Sequence, residues 1–399
     1  MTTRTNATFP PPVMEARRWL ATAGPPADMP LLNVSQAAPV APPPEALRAE
    51  MARLVTGVPQ VHLYGPVLGL PALREAIAAR WSAAYGGAIA ADQVAVTAGC
   101  NQAFCAAIAA LCGEGDEVIL PTPWYFNHKM WLDMAGVRAV PLPCGDELLP
   151  DPERALSLVT ERTRAIVLVT PNNPAGVEYP ADLVAAFHRL AQERGLSLIL
   201  DETYRDFDAR PGAPHALFSD PDWPRALIHL YSFSKAYRLT GHRTGAMIAH
   251  RDTLAEAEKF LDTVAICAPQ LGQHAALWGL AHLDQWLAGE RAEILDRRAA
   301  VETQAARAAG TGWRLKGAGA YFAYLEHPFA LPSDDLARRM VGDIGVLALP
   351  GTMFVPEGDA SGTRHLRVAF ANADRDGIAE LFHRLGRLAY PLADKAPHR

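Results

Sequence analysis

From Glu45 to about Leu283 the chain alternates short apolar runs with longer stretches of helical character. Val94–Thr97, Glu117–Leu120, Ala165–Val169 and Leu196–Leu200 are apolar at almost every position, and Ala226–Leu230 and Gly245–Ala249 continue the series. Continuous apolarity over four or five residues, without a polar alternate, predicts strands buried on both faces. Between several of them lie helical stretches, such as Gln102–Leu111 and Ala181–Arg194. Strands alternating with helices predict a mainly parallel α/β sheet covered by helices.

The pattern then changes. Gln270–Ala308 reads as a long helix rich in Ala, Leu and Arg. After it, Tyr321–Tyr324, Gly345–Leu349 and Leu366–Phe370 read as strands that alternate with helices, the last at Ile378–Leu388. Residues 1–45 are rich in Pro and Ala, predicting an extended arm with one short helix near Met14–Ala21. A chain of 399 residues exceeds what one core comfortably encloses. Two domains are therefore expected: a large one over 46–289, and a smaller α+β one built from 1–45 and 290–399. Disorder is expected only at Lys395–Arg399.

Composition narrows the function classes. Half the residues are hydrophobic, a fifth are charged, and the net charge is −6, which gives no basic surface for nucleic acid. Five cysteines without a C-x-x-C pair read as buried thiols of a reducing compartment rather than a disulfide or zinc framework. The histidines never fall at a metal-ligand spacing, so no metal is expected. No signal peptide and no membrane-spanning stretch is expected. A cytoplasmic protein with small-molecule partners and no membrane association is expected.

The chemistry concentrates after the strand ends. In Ser232-Phe-Ser-Lys235-Ala-Tyr-Arg-Leu-Thr-Gly-His-Arg243, a lysine stands among hydroxylated residues, eight positions before an arginine. Its amine suits a Schiff base with an aldehyde cofactor, while Ser232, Ser234 and Arg243 suit that cofactor's phosphate. A Ser/Gly-rich loop with solvated cations is the plainer reading. Asp201 closes one strand and opens Asp201-Glu-Thr-Tyr204, at the carboxyl end where open α/β sheets bind ligands; a helix N-cap is the alternative. Thr170-Pro-Asn-Asn173-Pro-Ala-Gly176 follows another strand and reads locally as a turn. In Thr97-Ala-Gly-Cys100-Asn101-Gln, a strand passes into a helix whose first amides, those of Cys100 and Asn101, form a ready anion site.

Together these segments resemble the pyridoxal-phosphate (PLP) aminotransferases of fold type I, class I/II, over roughly Leu32 to Phe382. The resemblance implies a seven-stranded-type sheet in the large domain and PLP as cofactor, with Lys235 as the Schiff-base lysine. It places Asp201 against the pyridine nitrogen, and Asn173 and Tyr204 at the phenolate oxygen. Tyr125, from Pro121-Thr-Pro-Trp-Tyr125, would stack on the ring, and Arg367, in Leu366-Arg-Val-Ala-Phe, would grip the substrate carboxylate with Asn173. Tyr64, in Tyr64-Gly-Pro-Val-Leu-Gly-Leu-Pro-Ala-Leu-Arg, would reach the phosphate of a neighbouring subunit, implying a homodimer with shared sites.

Two departures bear on specificity. Ala37 stands where relatives usually carry a substrate-facing glycine, and Asn101 stands where some aspartate-specific relatives place a lysine. Asn101, with the apolar surface that Trp124, Tyr125 and Phe126 would offer near the cofactor, leads to the expectation of aminotransfer between an L-amino acid with a neutral, apolar or aromatic side chain and a 2-oxo acid. Arg238 would be the cation to seek if that side chain were acidic. A PLP-dependent C–S or β-lyase, or another elimination enzyme of the same fold, is the nearest alternative. A non-catalytic PLP-binding sensor is disfavoured, because the arm is too short for a winged helix.

Overall fold

The computed structural model describes residues 3–393; the stretch Lys395–Arg399 lies outside them. Seven strands form the main sheet: β1 (Val94–Thr97), β2 (Glu117–Thr122), β3 (Arg138–Pro143), β4 (Thr163–Val169), β5 (Ser197–Asp201), β6 (Leu227–Ser232) and β7 (Gly245–Ile248). Their spatial order is β1-β7-β6-β5-β4-β2-β3. All pairs are parallel except those of β7, which runs against both β1 and β6. The six apolar runs found in the sequence are six of these strands. The seventh, β3, alternates exposed and buried positions because it is an edge strand, which is why it does not stand out as an apolar run.

One consequence governs the site. The carboxyl ends of β1, β2, β4, β5 and β6 share one edge of the sheet. Because β7 is reversed, its first residue, Gly245, pairs with both Thr97 and Ser232 at that same edge. Arg243, two residues before β7, is thereby delivered to the place where the other strands end.

A second sheet of four strands follows: β8 (Arg314–Gly319), β9 (Phe322–Glu326), β10 (Leu349–Pro350) and β11 (His365–Val368), in the order β10-β11-β9-β8, all antiparallel. The run read as one strand over Gly345–Leu349 is divided at Ala348. Val346–Leu347 pairs in parallel with Leu32–Asn33 of the arm, and Leu349–Pro350 joins the four-stranded sheet. The long helical stretch is likewise two helices, Gln270–His282 and Asp284–Ala308, with Leu283 leaving helical geometry between them. No proline or glycine marks that break, so the sequence pattern runs through it. Leu287, Ile294 and Val301 are buried on the second helix at seven-residue intervals, the spacing of one packed face.

The two sheets meet through small residues. The turn Asn172–Gly176 after β4 lies against β8, and Gly176 has φ +75°, a conformation that disfavours side chains. A Cβ on Gly319 would overlap the carbonyl oxygen of Gly176. Gly319→Ala is therefore expected to lower stability by about 1–3 kcal/mol through overpacking. A denaturant titration checks this, with an unshifted midpoint contradicting the close approach.

Candidate active site

A cavity of about 430 Å³ opens at the carboxyl edge of the main sheet. Every sequence-predicted site residue lines it except Tyr64: Ala37, Cys100, Asn101, Tyr125, Asn173, Asp201, Tyr204, Ser232, Ser234, Lys235, Arg243 and Arg367. Tyr64 is 80 % exposed and lies outside the cavity of its own chain.

Lys235 sits in the helical turn Phe233–Ala236 that follows β6. Its Nζ donates to the carbonyl of Ala37 at 2.6 Å, and the rings of Tyr204 and Tyr321 are 5.8 and 5.9 Å away. Burial, reinforced by the charges of Arg243 and Arg367, brings the amine down from 10.5 to about 8. Ala37 takes no left-handed backbone angle, so the alanine is accommodated here without strain.

Asp201 ends β5 and is buried. One oxygen accepts the backbone N–H of Thr203 at 3.0 Å, and the other lies 3.3 Å from Nε2 of His128. Burial would raise its carboxyl, but the bonds and charge from His128 and the bonds from Thr203 outweigh that, so it is held below the ordinary carboxylate value. The aspartate is therefore an anion at neutral pH, not merely a helix cap. His128 is fixed in turn by stacking on Phe104, with ring centroids 3.9 Å apart, and by the edge of Tyr125 at 5.0 Å. The sequence reading missed His128. It is one turn into the helix Phe126–Ala135, three residues after Tyr125, and that spacing was the available signal.

The two asparagines of the Thr170–Gly176 turn have separate tasks. Asn172 closes the turn, donating to Tyr179 Oη at 3.1 Å and accepting from the Ala175 N–H at 2.9 Å. Asn173 faces the cavity, where its Oδ1 accepts from Arg367 Nη1 at 3.1 Å. Arg367 also donates to the carbonyl of Ser35, and its guanidinium lies 5.1 to 5.9 Å from the rings of Phe354, Phe322 and Phe126. Its Nε is buried with no partner, and burial lowers its pKa to about 10. A buried guanidinium with a spare donor suits an incoming carboxylate.

An anion cup lies at the opposite end. The helix Cys100–Leu111 starts two residues earlier than its sequence pattern suggests, because Gly99 turns the chain with φ +85°. Gly99 supplies no side-chain cap, and the N–H groups of Cys100 and Asn101 have no partner among the described residues. A Cβ on Gly99 would overlap the guanidinium of Arg243, so glycine is what admits that arginine. Arg243 Nη1 lies 3.4 Å from Ser234 Oγ and 2.8 Å from the Thr240 carbonyl. Ser232 Oγ caps the next turn by accepting from the Ser234 N–H at 3.2 Å. Free amides, two hydroxyls and one arginine form a phosphate-sized donor set.

The mouth is amphipathic. The helix Pro12–Thr22 presents Val13, Met14 and Arg17 to it, and Arg17 donates to Gln36 Oε1 at 2.6 Å. Asn127 Nδ2 donates to Tyr125 Oη at 2.8 Å, and Tyr125 donates to Asn101 Oδ1 at 3.2 Å. Two sequence readings change. Trp124 is buried away from the cavity. Arg238 is committed to Glu290, at 2.7 and 2.8 Å, and lines a separate cavity. Arg17, on the arm, is the cation that sequence reading overlooked.

This fold and site define a class. Residues 31–385 match the family model described as aminotransferase class I and II, and the chain belongs to that family. It is thus a transferase that moves an amino group between an amino acid and a 2-oxo acid. It is 31 % identical over 364 residues to the aromatic aminotransferase ISS1 of Arabidopsis thaliana, covering 86 % of this chain and 88 % of that one. With the valine–pyruvate aminotransferase of Mycobacterium tuberculosis it shares 30 % identity, over 89 % and 90 % of the two chains. Among solved structures, a variant of Thermus thermophilus aspartate aminotransferase superimposes with a TM-score of 0.86 at 23 % identity, covering 97 % and 99 %. That likeness speaks for the fold.

The lowered amine leads to a prediction. Only the neutral form attacks an aldehyde, so attachment of PLP to cofactor-free protein should accelerate with pH and reach half its maximum near pH 8. Stopped-flow absorbance measures it. A rate still rising in proportion to hydroxide beyond pH 10 would show that Lys235 keeps an ordinary amine.

Proposed function

We propose that this chain holds pyridoxal 5′-phosphate and transfers amino groups from a neutral L-amino acid, apolar or aromatic, to a 2-oxo acid, as a cytoplasmic homodimer. The observation that carries the reading is the enclosure of one lowered lysine amine between an anionic Asp201, a carboxylate grip at Arg367 and a phosphate cup at Arg243. The residues fit the cofactor. The cup of Cys100, Asn101, Ser232, Ser234 and Arg243 would take its phosphate, Asp201 its ring nitrogen, and Asn173 and Tyr204 its phenolate oxygen. Tyr125 would stack on the ring.

Bound there, the cofactor supplies an electron sink for the carbanion left when the substrate loses its α-proton. The protein does the rest. Arg367, steadied by Asn173 and the Ser35 carbonyl, orients the α-carboxylate. Lys235, with an amine near 8, can take the α-proton and return it close to neutral pH. Asp201, fixed by His128 and Thr203, would hold its negative charge against the ring nitrogen. Phe126, Phe322 and Phe354 limit water around Arg367, which strengthens its hold on the carboxylate.

Side-chain preference follows from the mouth. Val13 and Met14 supply apolar contact, while Asn101 and Asn127 flank the site as amides rather than cations. Arg17 is exposed and already bonded to Gln36, so a carboxylate there gains little in water.

The dimer reading rests on an exposed apolar patch away from the cavity: Val55, Leu63, Tyr64, Val264 and Ile266. Its two segments adjoin where the Gly65 N–H meets Cys267 Sγ at 3.4 Å. Contiguous exposed apolar residues mark association surfaces. A second copy seated there would bring Tyr64 of one protomer to the phosphate of the other.

Purified protein loaded with PLP should transfer amino groups from phenylalanine, methionine and leucine with kcat/KM above that for aspartate. Lys235→Ala should abolish this. Oxo acid released without matching amine transfer would point to elimination chemistry, and a highest kcat/KM for aspartate would overturn the side-chain reading. Shared sites are tested by co-expressing a Lys235→Ala chain with a Tyr64→Phe chain. One site of the heterodimer then carries both lesions and the other none, so activity should exceed that of either pure variant. Absence of recovery in a verified heterodimer would show self-contained subunits.

A further inference from the structure

Directly behind the cofactor-facing residues lies a buried charged cluster that the proposed chemistry does not use. The segment after β5 has two faces. Asp201, Thr203 and Tyr204 line the cavity, whereas Glu202, Arg205 and Asp206 do not. Glu202 is fully buried. Its Oε2 accepts from the Tyr85 hydroxyl, lies 2.8 Å from His229 Nε2 and 3.4 Å from His215 Nε2. His215 Nδ1 accepts the Leu217 N–H at 3.2 Å, which leaves the ring proton on Nε2, facing Glu202. Arg205 is sandwiched 4.6 Å from each of the rings of Trp81 and Tyr85. Asp206 accepts from the Tyr231 hydroxyl at 2.6 Å.

The partners come from three pieces of the fold. Trp81 and Tyr85 come from the helix Pro71–Tyr85, His229 and Tyr231 from β6, and His215 from the loop between β5 and β6. Tyr231 directly precedes Ser232 of the phosphate cup. The cluster therefore clamps the residues before, between and after the groups that face the cofactor.

Stability alone does not account for such an arrangement. Burying a carboxylate costs several kcal/mol, and well-packed apolar side chains often replace such groups without loss. Glu202 Oε1 and Arg205 Nη1 are even left without partners. What charges and directional bonds add is a fixed position.

We propose that Glu202, held by Tyr85 and His229, is a positioning residue that sets the placement of Asp201 and Tyr204 against the cofactor. The inference rests on the reading of the cavity as a PLP site. A displacement of about 1 Å in a group that must meet the ring costs up to roughly 100-fold in rate. The Glu202→Gln holoenzyme should therefore lose roughly 10- to 100-fold in kcat while KM for the amino acid changes little. The circular dichroism that the protein induces in the bound cofactor should weaken, and the affinity of the cofactor-free protein for PLP should fall.

Tyr85→Phe removes one bond yet keeps the ring that packs on His215 and Arg205, so it decides the matter if Glu202→Gln does not fold. It should show the same three effects to a smaller degree. Variants with full kcat, unchanged cofactor dichroism and only a lower melting temperature would overturn the proposal and leave the cluster a structural core. Wild-type protein that binds no PLP would instead overturn the cofactor reading itself, and this inference with it.

Discussion

Three cations and a single carboxylate converge deep in one cavity, and most of the architecture follows from placing them there. Lys235, Arg243 and Arg367 stand around a space whose only acidic side chain among the described residues is Asp201. Uncompensated charge of one sign in a confined cavity is costly unless anions enter. Burial lowers the guanidinium of Arg367 and, reinforced by the charges of Arg243 and Arg367, the amine of Lys235. A ligand carrying a phosphate and a substrate carrying a carboxylate would offset that charge.

The sheet topology makes this convergence possible. Five parallel strands end at one edge and deliver Cys100, Tyr125, Asn173, Asp201 and Lys235. Reversed β7 begins at that edge and delivers Arg243. Arg367 arrives from the other sheet, on β11, and reaches Asn173 and the arm carbonyl of Ser35. One arginine thus ties together the main sheet, the smaller sheet and the arm, and the glycines at 176 and 319 permit the close approach this requires.

Much of this was legible in the residue pattern. Runs of apolar residues mark six of the seven strands of the main sheet, since burial on both faces leaves no polar alternate. Lys235 and its neighbours follow strand ends, where turn chemistry is readable. The arm's part in the site was only partly legible. Val13, Met14 and Arg17 reach the mouth through a helix whose destination depends on pairing between Leu32–Asn33 and Val346–Leu347, more than 300 residues apart in sequence. His128 and Glu202 were passed over for a related reason. The contacts of Glu202 with His215 and His229 are encoded by no local spacing, and the spacing of His128 from Tyr125 marks a shared helix face without revealing the contact with Asp201.

The central claim is that Lys235 is the one amine set to capture an aldehyde cofactor. Borohydride reduction of the PLP-loaded protein, followed by peptide mapping, tests it most directly. The account predicts a single reduced adduct, on Lys235, in the peptide containing Ser232 and Ser234. An adduct on Lys129, Lys259 or Lys316, or none at all under conditions where the protein transfers amino groups, would contradict it.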